Sequence, residues 1–364
     1  MKELDLVYRT MFAELDQRSL DGSFETAFPI TGNFVKIPVK ERDYWYFNDP
    51  QAEKKRSYVG PAEDPEITRR VEEFQRVKND FKSRRKLVST LTREAGLPAP
   101  ERMTGDVVDA LERAGLFRLR GVLIGTVAFQ TYSAYLGVRL PGAVMQTGDA
   151  DFAQFHSISA AVGDTLPSML DLLREIDPTF RPIPHRSDGR YTTQYVNGTN
   201  YKVEFLTPNR GSDDHGDKPA NMPALGGASA QPLRFLDFLI FEPVRTTMLH
   251  RNGIPVVVPS PQKFAIHKFI VASDRLTDAG GQAKRDKDVN QAKSLIEAMA
   301  ITRRHDDVAE AFVEAWRRGP HWRSAISRGI GFLPRQDQIE VLKTINQGLA
   351  KIGETIEDVP LPQP

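Results

Sequence analysis

Asp149-Ala150-Asp151 is the tripeptide of this sequence whose residue types and spacing best suit chemistry. On an extended strand, residues two apart point to the same face, so both carboxylates address one point in space. Like charges held that close repel unless a cation sits between them, and Mg²⁺ or Mn²⁺ is the hard, oxygen-seeking ion that suits. Alone, the pair also fits two solvated residues at a strand end. Glu204 adds weight: in Lys202-Val203-Glu204-Phe205-Leu206 an acid interrupts an apolar, strand-forming run, and burying a carboxylate unpaired is costly. An edge position or a salt bridge would accommodate it too. Upstream, Gly125-Thr126 joins the apolar Val122-Leu123-Ile124 to a helix-forming segment. Glycine permits close backbone approach, and a helix N-terminus offers free N–H groups to an anion such as phosphate.

Positioning these groups takes a strand–turn–helix unit and further strands, and the hydrophobic pattern provides them. Residues 105–115 read as a short helix, 116–126 as a strand ending at Gly125-Thr126, and 127–137 as a helix. Residues 142–152 read as a second strand, 158–176 as one helix, and 191–207 as a hairpin turning at Asn197-Gly198. Residues 208–232, rich in Gly, Pro and Asp, read as a long loop. It carries Asp213-Asp214-His215-Gly216-Asp217 and is expected to order over bound substrate. Residues 234–242 and 254–259 return to strand. Ahead of this unit, 3–18 reads as a helix, 32–47 as a strand pair and 65–95 as a long charged helix. Within 51–98, 12 Lys+Arg outnumber 8 Asp+Glu, which fits a solvated helix face or a rail for nucleic-acid phosphates. Past Pro259 the pattern is helical over 261–273, 287–300, 306–318 and 336–352.

In order, strand–Gly-Thr–helix, strand–Asp-x-Asp and strand–Glu resemble the DNA-polymerase-β-type nucleotidyltransferase superfamily over roughly 115–206. Thr126 stands where that pattern usually has Ser, and keeps the hydroxyl. The phrases Leu123-Ile124-Gly125-Thr126-Val127-Ala128-Phe129 and Thr147-Gly148-Asp149-Ala150-Asp151-Phe152 sharpen the likeness. With Tyr44-Trp45-Tyr46, Tyr58-Val59-Gly60-Pro61 and the run from Pro259 to Lys268, they resemble a bacterial nucleotidyltransferase-like family over most of the chain. The resemblance implies an α+β fold: a polymerase-β-like mixed sheet with helices, a small N-terminal α/β module and a C-terminal helical domain. The expected boundaries are 1–103, 104–258 (catalytic) and 259–364. It implies transfer of a nucleoside monophosphate from an NTP to an acceptor hydroxyl, either an RNA 3′ end such as that of tRNA or a protein side chain. Asp149, Asp151 and Glu204 would hold two Mg²⁺ or Mn²⁺ ions, and Gly125 and Thr126 would contact the phosphates. A looser likeness to abortive-infection toxins implies nucleotide contacts from Lys263, His267, Lys268 and Lys284, a toxin- or defence-like role and an inhibitory partner protein. Lys263 and His267, four apart, share one helix face.

The rest of the sequence narrows the field by exclusion. It has 364 residues, a formal net charge of +1 and no cysteine, which rules out disulfides, thiolate-held metals and a catalytic thiol. No Walker loop, Gly-x-Gly-x-x-Gly or Gly-x-Ser-x-Gly is present. The N-terminal residues do not read as a signal peptide and no apolar run reaches 18 residues, so a cytoplasmic protein without membrane contact is expected. Two other readings stay open. An Asp-x-Asp glycosyltransferase would hold its metal on a sugar nucleotide and need no third acid, and a non-catalytic nucleotidyltransferase-like module would bind RNA or protein.

Overall fold

Alternation builds the central sheet. In β7 (Asp149–Ala153) and β10 (Lys202–Pro208), Ala150, Phe152, Val203 and Phe205 are fully buried on one face. Phe152 stacks on Phe205 at 5.9 Å. Burying each such ring contributes about 1.5–3 kcal/mol and fixes the register, because a one-residue slip would exchange the faces. Asp149, Asp151 and Glu204 are thereby turned to the other face. The computed structural model describes residues 1–21, 31–39, 42–48, 56–143, 147–161, 165–209, 218–276, 278–355 and 362.

Before this sheet come β1 (Lys2–Glu3), α1 (Leu6–Asp21), β2 (Asn33–Val39), β3 (Arg42–Asn48), β4 (Arg56–Pro61) and α2 (Pro65–Arg93). β2, β3 and β4 form an antiparallel sheet sealed onto α2 by edge-to-face contacts among Phe34, Phe47 and Phe74. Leu4, Phe12 and Leu15 of the N-terminal segment bury against Val88, Leu91 and Leu97. Arg84, in the basic stretch of α2, is buried and ion-paired to Asp80 at 2.8 Å. That residue is structural, not part of a solvated rail.

α3 (Arg102–Ala114), β5 (Val122–Ile124), α4 (Gly125–Leu136) and β6 (Val138–Arg139) lead into β7. Then follow α5 (His156–Ala161), α6 (Met169–Ile176), β8 (Arg181–Pro184) and β9 (Thr192–Val196) before β10. β11 (Ala220–Asn221), β12 (Ser229–Leu233), α7 (Leu236–Ile240), β13 (Val244–Met248) and β14 (Ile254–Val258) complete the mixed part. In the sheet, β10 runs parallel to β7 on one side. On its other side it pairs with antiparallel β9 along its first half and parallel β12 along its second. β5 is antiparallel to β7. The fold is α+β, with a mixed sheet.

Several expected elements differ; the strand expected over 142–152 begins only at Asp149, and the helix expected over 287–300 begins at Ala279. The strand expected at 116–126 is confined to 122–124, because backbone hydrogen bonds such as Gly121 N–H to Leu116 close 116–121 into turns. Residues 158–176 form two helices instead of one; Ser168 caps the second, its hydroxyl accepting from the Asp171 amide. Residues 234–242 hold the helix α7, since Leu236, Leu239 and Ile240 recur at helical spacing and are all buried. The expected loop 208–232 contains β11 and β12, the latter extending the central sheet. The Asp213–Asp217 run lies outside the described residues.

α8 (Pro261–Ser273), α9 (Ala279–Ile301), α10 (His305–Arg317), α11 (Pro320–Gly331) and α12 (Arg335–Lys351) follow. One continuous apolar core runs through the sheet and these helices. Phe264 of α8 stacks on Phe129 of α4 at 6.1 Å, and the Tyr132 hydroxyl donates to the Pro259 carbonyl at 2.8 Å. α4 and α8 are thus fixed to one another. Among the described residues, no helix is long and apolar enough to cross a membrane.

Candidate active site

The polar face of the sheet floors a cleft of about 1050 Å³, whose lining includes Gly125, Asp151, Gln194, Glu204, His267, Lys268 and Arg275. β-register explains the convergence: Glu204 lies opposite Asp151 on the neighbouring strand, and Lys202 opposite Asp149. Gln194 lies opposite Glu204 on its other side and donates its amide to the Glu204 carboxylate. Asp149 is exposed at the edge of this group and accepts from the Thr147 hydroxyl.

Ile124 pairs with Asp151 across β5 and β7, which brings Gly125 directly against that carboxylate. Gly125 has φ +70°, and a Cβ there would lie 2.5 Å from Asp151 Oδ2. Both the backbone angle and the space therefore call for glycine. α4 starts at this residue, so the turn presents a helix N-terminus beside the acids. Thr126 is buried behind the turn and does not line the cleft.

The acids are crowded. Burial, followed by the charges of Asp149 and Glu204, pushes Asp151 up to about 8. Glu204 is also raised, first by burial and then by Asp149. A side-chain hydrogen bond between the two carboxyl groups adds to the shift of Asp151 and lowers Glu204, so the proton is favoured on Asp151. Among the described residues no three carboxylate or imidazole groups are already gathered into a metal-holding cluster. The donor chemistry nevertheless fits a hard divalent cation: oxygen ligands on one face, two of them raised by burial and then by neighbouring like charge.

Cations face them from α8, α9 and the turn between. The Lys268 charge stabilises ionised Asp151; Lys202 of β10, and after it Lys284, do the same for Glu204. Lys287 is depressed first by burial and then by Lys268, while Asp149, Asp288 and Asp151 pull it back up. His267 is buried, and burial followed by the Lys268 charge drives it down to about 3. Its imidazole is neutral across the physiological range. Lys263 is placed elsewhere: its ammonium is 3.0 Å from Glu314 and lies over the Phe241 ring, outside the cleft lining. One helical turn separates Lys263 from His267, yet His267 and Lys268 line the cleft and Lys263 does not. Arg275, Lys287 and Gln194 were not among the expected site residues. Lys287 stands in the mixed-charge segment Lys284-Arg285-Asp286-Lys287-Asp288, whose pattern also fits a solvated helix face; Gln194 is an ordinary strand residue that only cross-strand register brings to Glu204.

A family model described as nucleotidyltransferase matches residues 102–317, more than half of the chain. The chain belongs to that nucleotidyltransferase family and is a transferase enzyme. No curated protein and no solved structure matches it. The matched segment runs from α3 to α10 and contains both the acids of the sheet and the cations of α8 and α9.

Proposed function

We propose that this enzyme moves a nucleoside monophosphate from an NTP to an acceptor hydroxyl, releasing pyrophosphate, at the Asp149–Asp151–Glu204 cluster. The observation that carries the reading is the under-neutralised pair of Asp151 and Glu204 across β7 and β10, facing Lys268 and Arg275 over one cleft. Mg²⁺ or Mn²⁺ held by Asp149, Asp151 and Glu204, two ions by the resemblance, would neutralise the triphosphate and activate the acceptor hydroxyl. Lys268, Arg275, Lys287 and Lys284 bind the polyphosphate by charge, and Gly125 lets it approach the backbone at the start of α4. Gln194 orients the Glu204 carboxylate through its amide. Asp151, raised by burial and like charge, would ionise beside a bound cation, its proton passing to water, and would then offer its oxygens together with those of Glu204. Leu236, Leu239 and Phe264 also line the cleft and give it an apolar side.

In this reading 104–258 is a catalytic unit of the polymerase-β-like type and 259–364 supplies the cationic wall. The acceptor is an RNA 3′ end, tRNA especially, or a protein hydroxyl; a toxin- or defence-like role with an inhibitory partner belongs to the same proposal. The test is label transfer from each of four α-³²P-NTPs with Mg²⁺ or Mn²⁺, offering total RNA and the protein itself as acceptors. Label that requires the intact pair, and is lost in Asp149→Ala/Asp151→Ala, is the expected result. No transfer together with no NTP binding would sink the reading.

A further inference from the structure

Asp288, in the third turn of α9, is 2% exposed and spends both carboxylate oxygens on cations of the cleft. Oδ1 accepts from Lys268 Nζ at 2.6 Å, and Oδ2 from Arg275 Nε at 2.9 Å, with Arg275 Nη2 at 2.8 Å. Lys268 comes from the body of α8 and Arg275 from the turn after it, so one carboxylate ties helix, turn and next helix together. The Lys268 ammonium also sits 5.2 Å over the Phe264 ring. Both cations line the cleft together with Asp151 and Glu204. Lysine is a point charge on a flexible four-carbon stem. Released from Asp288, its strongest attractor would be the uncompensated acids across the cleft.

We propose that Asp288 is a positioning residue that fixes Lys268 and Arg275 as a polyphosphate-binding pair and keeps the Lys268 ammonium off the Asp151 and Glu204 carboxylates. Those oxygens are then left for divalent cations. That the bound group is a polyphosphate rests on the nucleotidyltransferase reading; the restraint on Lys268 does not. A plain interhelical staple would stabilise α8 against α9 without affecting cation binding on the sheet wall. The two roles therefore separate on cation affinity.

The experiment measures Mn²⁺ binding by calorimetry and KM for NTP on the full-length protein, for wild type, Asp288→Asn, Lys268→Met and the double variant. Asp288→Asn should weaken Mn²⁺ binding about 10-fold and raise KM by a similar factor, in the range of losses seen for groups that orient metal ligands. Adding Lys268→Met to Asp288→Asn should restore Mn²⁺ affinity while KM stays high, because no ammonium remains to occupy the carboxylates. Wild-type Mn²⁺ affinity in a folded Asp288→Asn, or a double variant as weak as that single one, would overturn the proposal. Should Asp288→Asn fail to fold, Asp288→Glu keeps the charge but moves the carboxylate. It should shift both constants about threefold, and unchanged constants would count against the idea. A wild type that binds Mn²⁺ but neither binds nor uses NTP would remove the nucleotidyltransferase reading and leave the Mn²⁺ comparison to judge Asp288.

Discussion

The sheet wall of the cleft sets Asp151 and Glu204 side by side with Asp149 at their exposed edge, and the one lysine opposite Asp149, Lys202 of β10, does not keep Asp151 and Glu204 from being raised. The helical wall gathers Lys268 and Arg275 around one buried acid, and there the ion pairs are closed. Protonation follows the difference. Burial and like charge raise Asp151 to about 8. Asp288 is buried as well, and burial alone would raise it, yet the charges and hydrogen bonds of Lys268 and Arg275 bring it below the usual carboxylate value. One wall is arranged in advance, and the other is left short of positive charge. An acid cluster that is completed internally cannot recruit a cation, whereas one that is left short of charge can, at a cost in stability.

The largest expected effect comes from the sheet wall. Glu204→Ala should lower nucleotidyl transfer by roughly 10²–10³-fold, as loss of a single electrostatic contact in an active site typically does. Its melting temperature should not fall, because a crowded like charge is removed. Retained activity with a sugar nucleotide would instead favour a site built on Asp149 and Asp151 alone. The helical wall should respond through binding: Lys268→Met should raise KM for NTP about 10-fold or more, with kcat less affected. Lys263→Met should change KM by less than about threefold and cost about 1 kcal/mol in stability, because Glu314 keeps its ion pair with Arg318. Equal KM effects at 263 and 268 would break the distinction between the two faces of α8.

Those two lysines also mark where sequence reading ran out. Asp149, Asp151 and Glu204 stood out because a strand period of two puts acids where apolar residues belong, and register in β7 and β10 needed only the buried Phe152 and Phe205 to fix it. The hairpin of β9 and β10 was legible for the same reason. On α8, by contrast, nearly every position is buried, so amphipathic pattern could not tell which face meets the cleft, and Lys263 and Lys268 read alike. α7 was mistaken for a strand because a five-residue apolar segment has too few turns to display its period. Asp288 was hidden in a run of alternating charges. Its burial comes from α9 packing on α8, which no local pattern records.

Gly125→Ala probes how tightly the turn at the start of α4 is bound to the acids. At φ +70° an alanine is strained by about 1–3 kcal/mol, and its Cβ would press on Asp151 Oδ2. The expected outcome is a loss of activity of about 10-fold with a fall of a few degrees in melting temperature, measured against the conservative change Thr126→Ser. A Gly125→Ala protein with normal kinetics would mean that Asp151 is free to move aside, and the rigid sheet wall of the comparison would be lost.

The smallest effect is the pH dependence of stability in chelator, and it has a definite sign. Between the ordinary carboxylate value of 3.8 and about 8, Asp151 is ionised in the unfolded chain but still protonated in the fold. The folded state therefore binds more protons, and stability must fall as pH rises through that window. Glu204, also raised, acts in the same direction. Asp151→Asn cannot titrate, so its melting temperature should decline less than that of wild type between pH 5.5 and 8.5, by a few degrees. Saturating Mg²⁺ should remove the difference in wild type by supplying the missing charge. The same cation should do little for Asp151→Asn, whose site has lost a ligand. A wild type that becomes more stable with pH over this range, relative to the variant, would mean that the sheet wall is not short of positive charge, and the contrast with the closed ion pairs of Asp288 would fail.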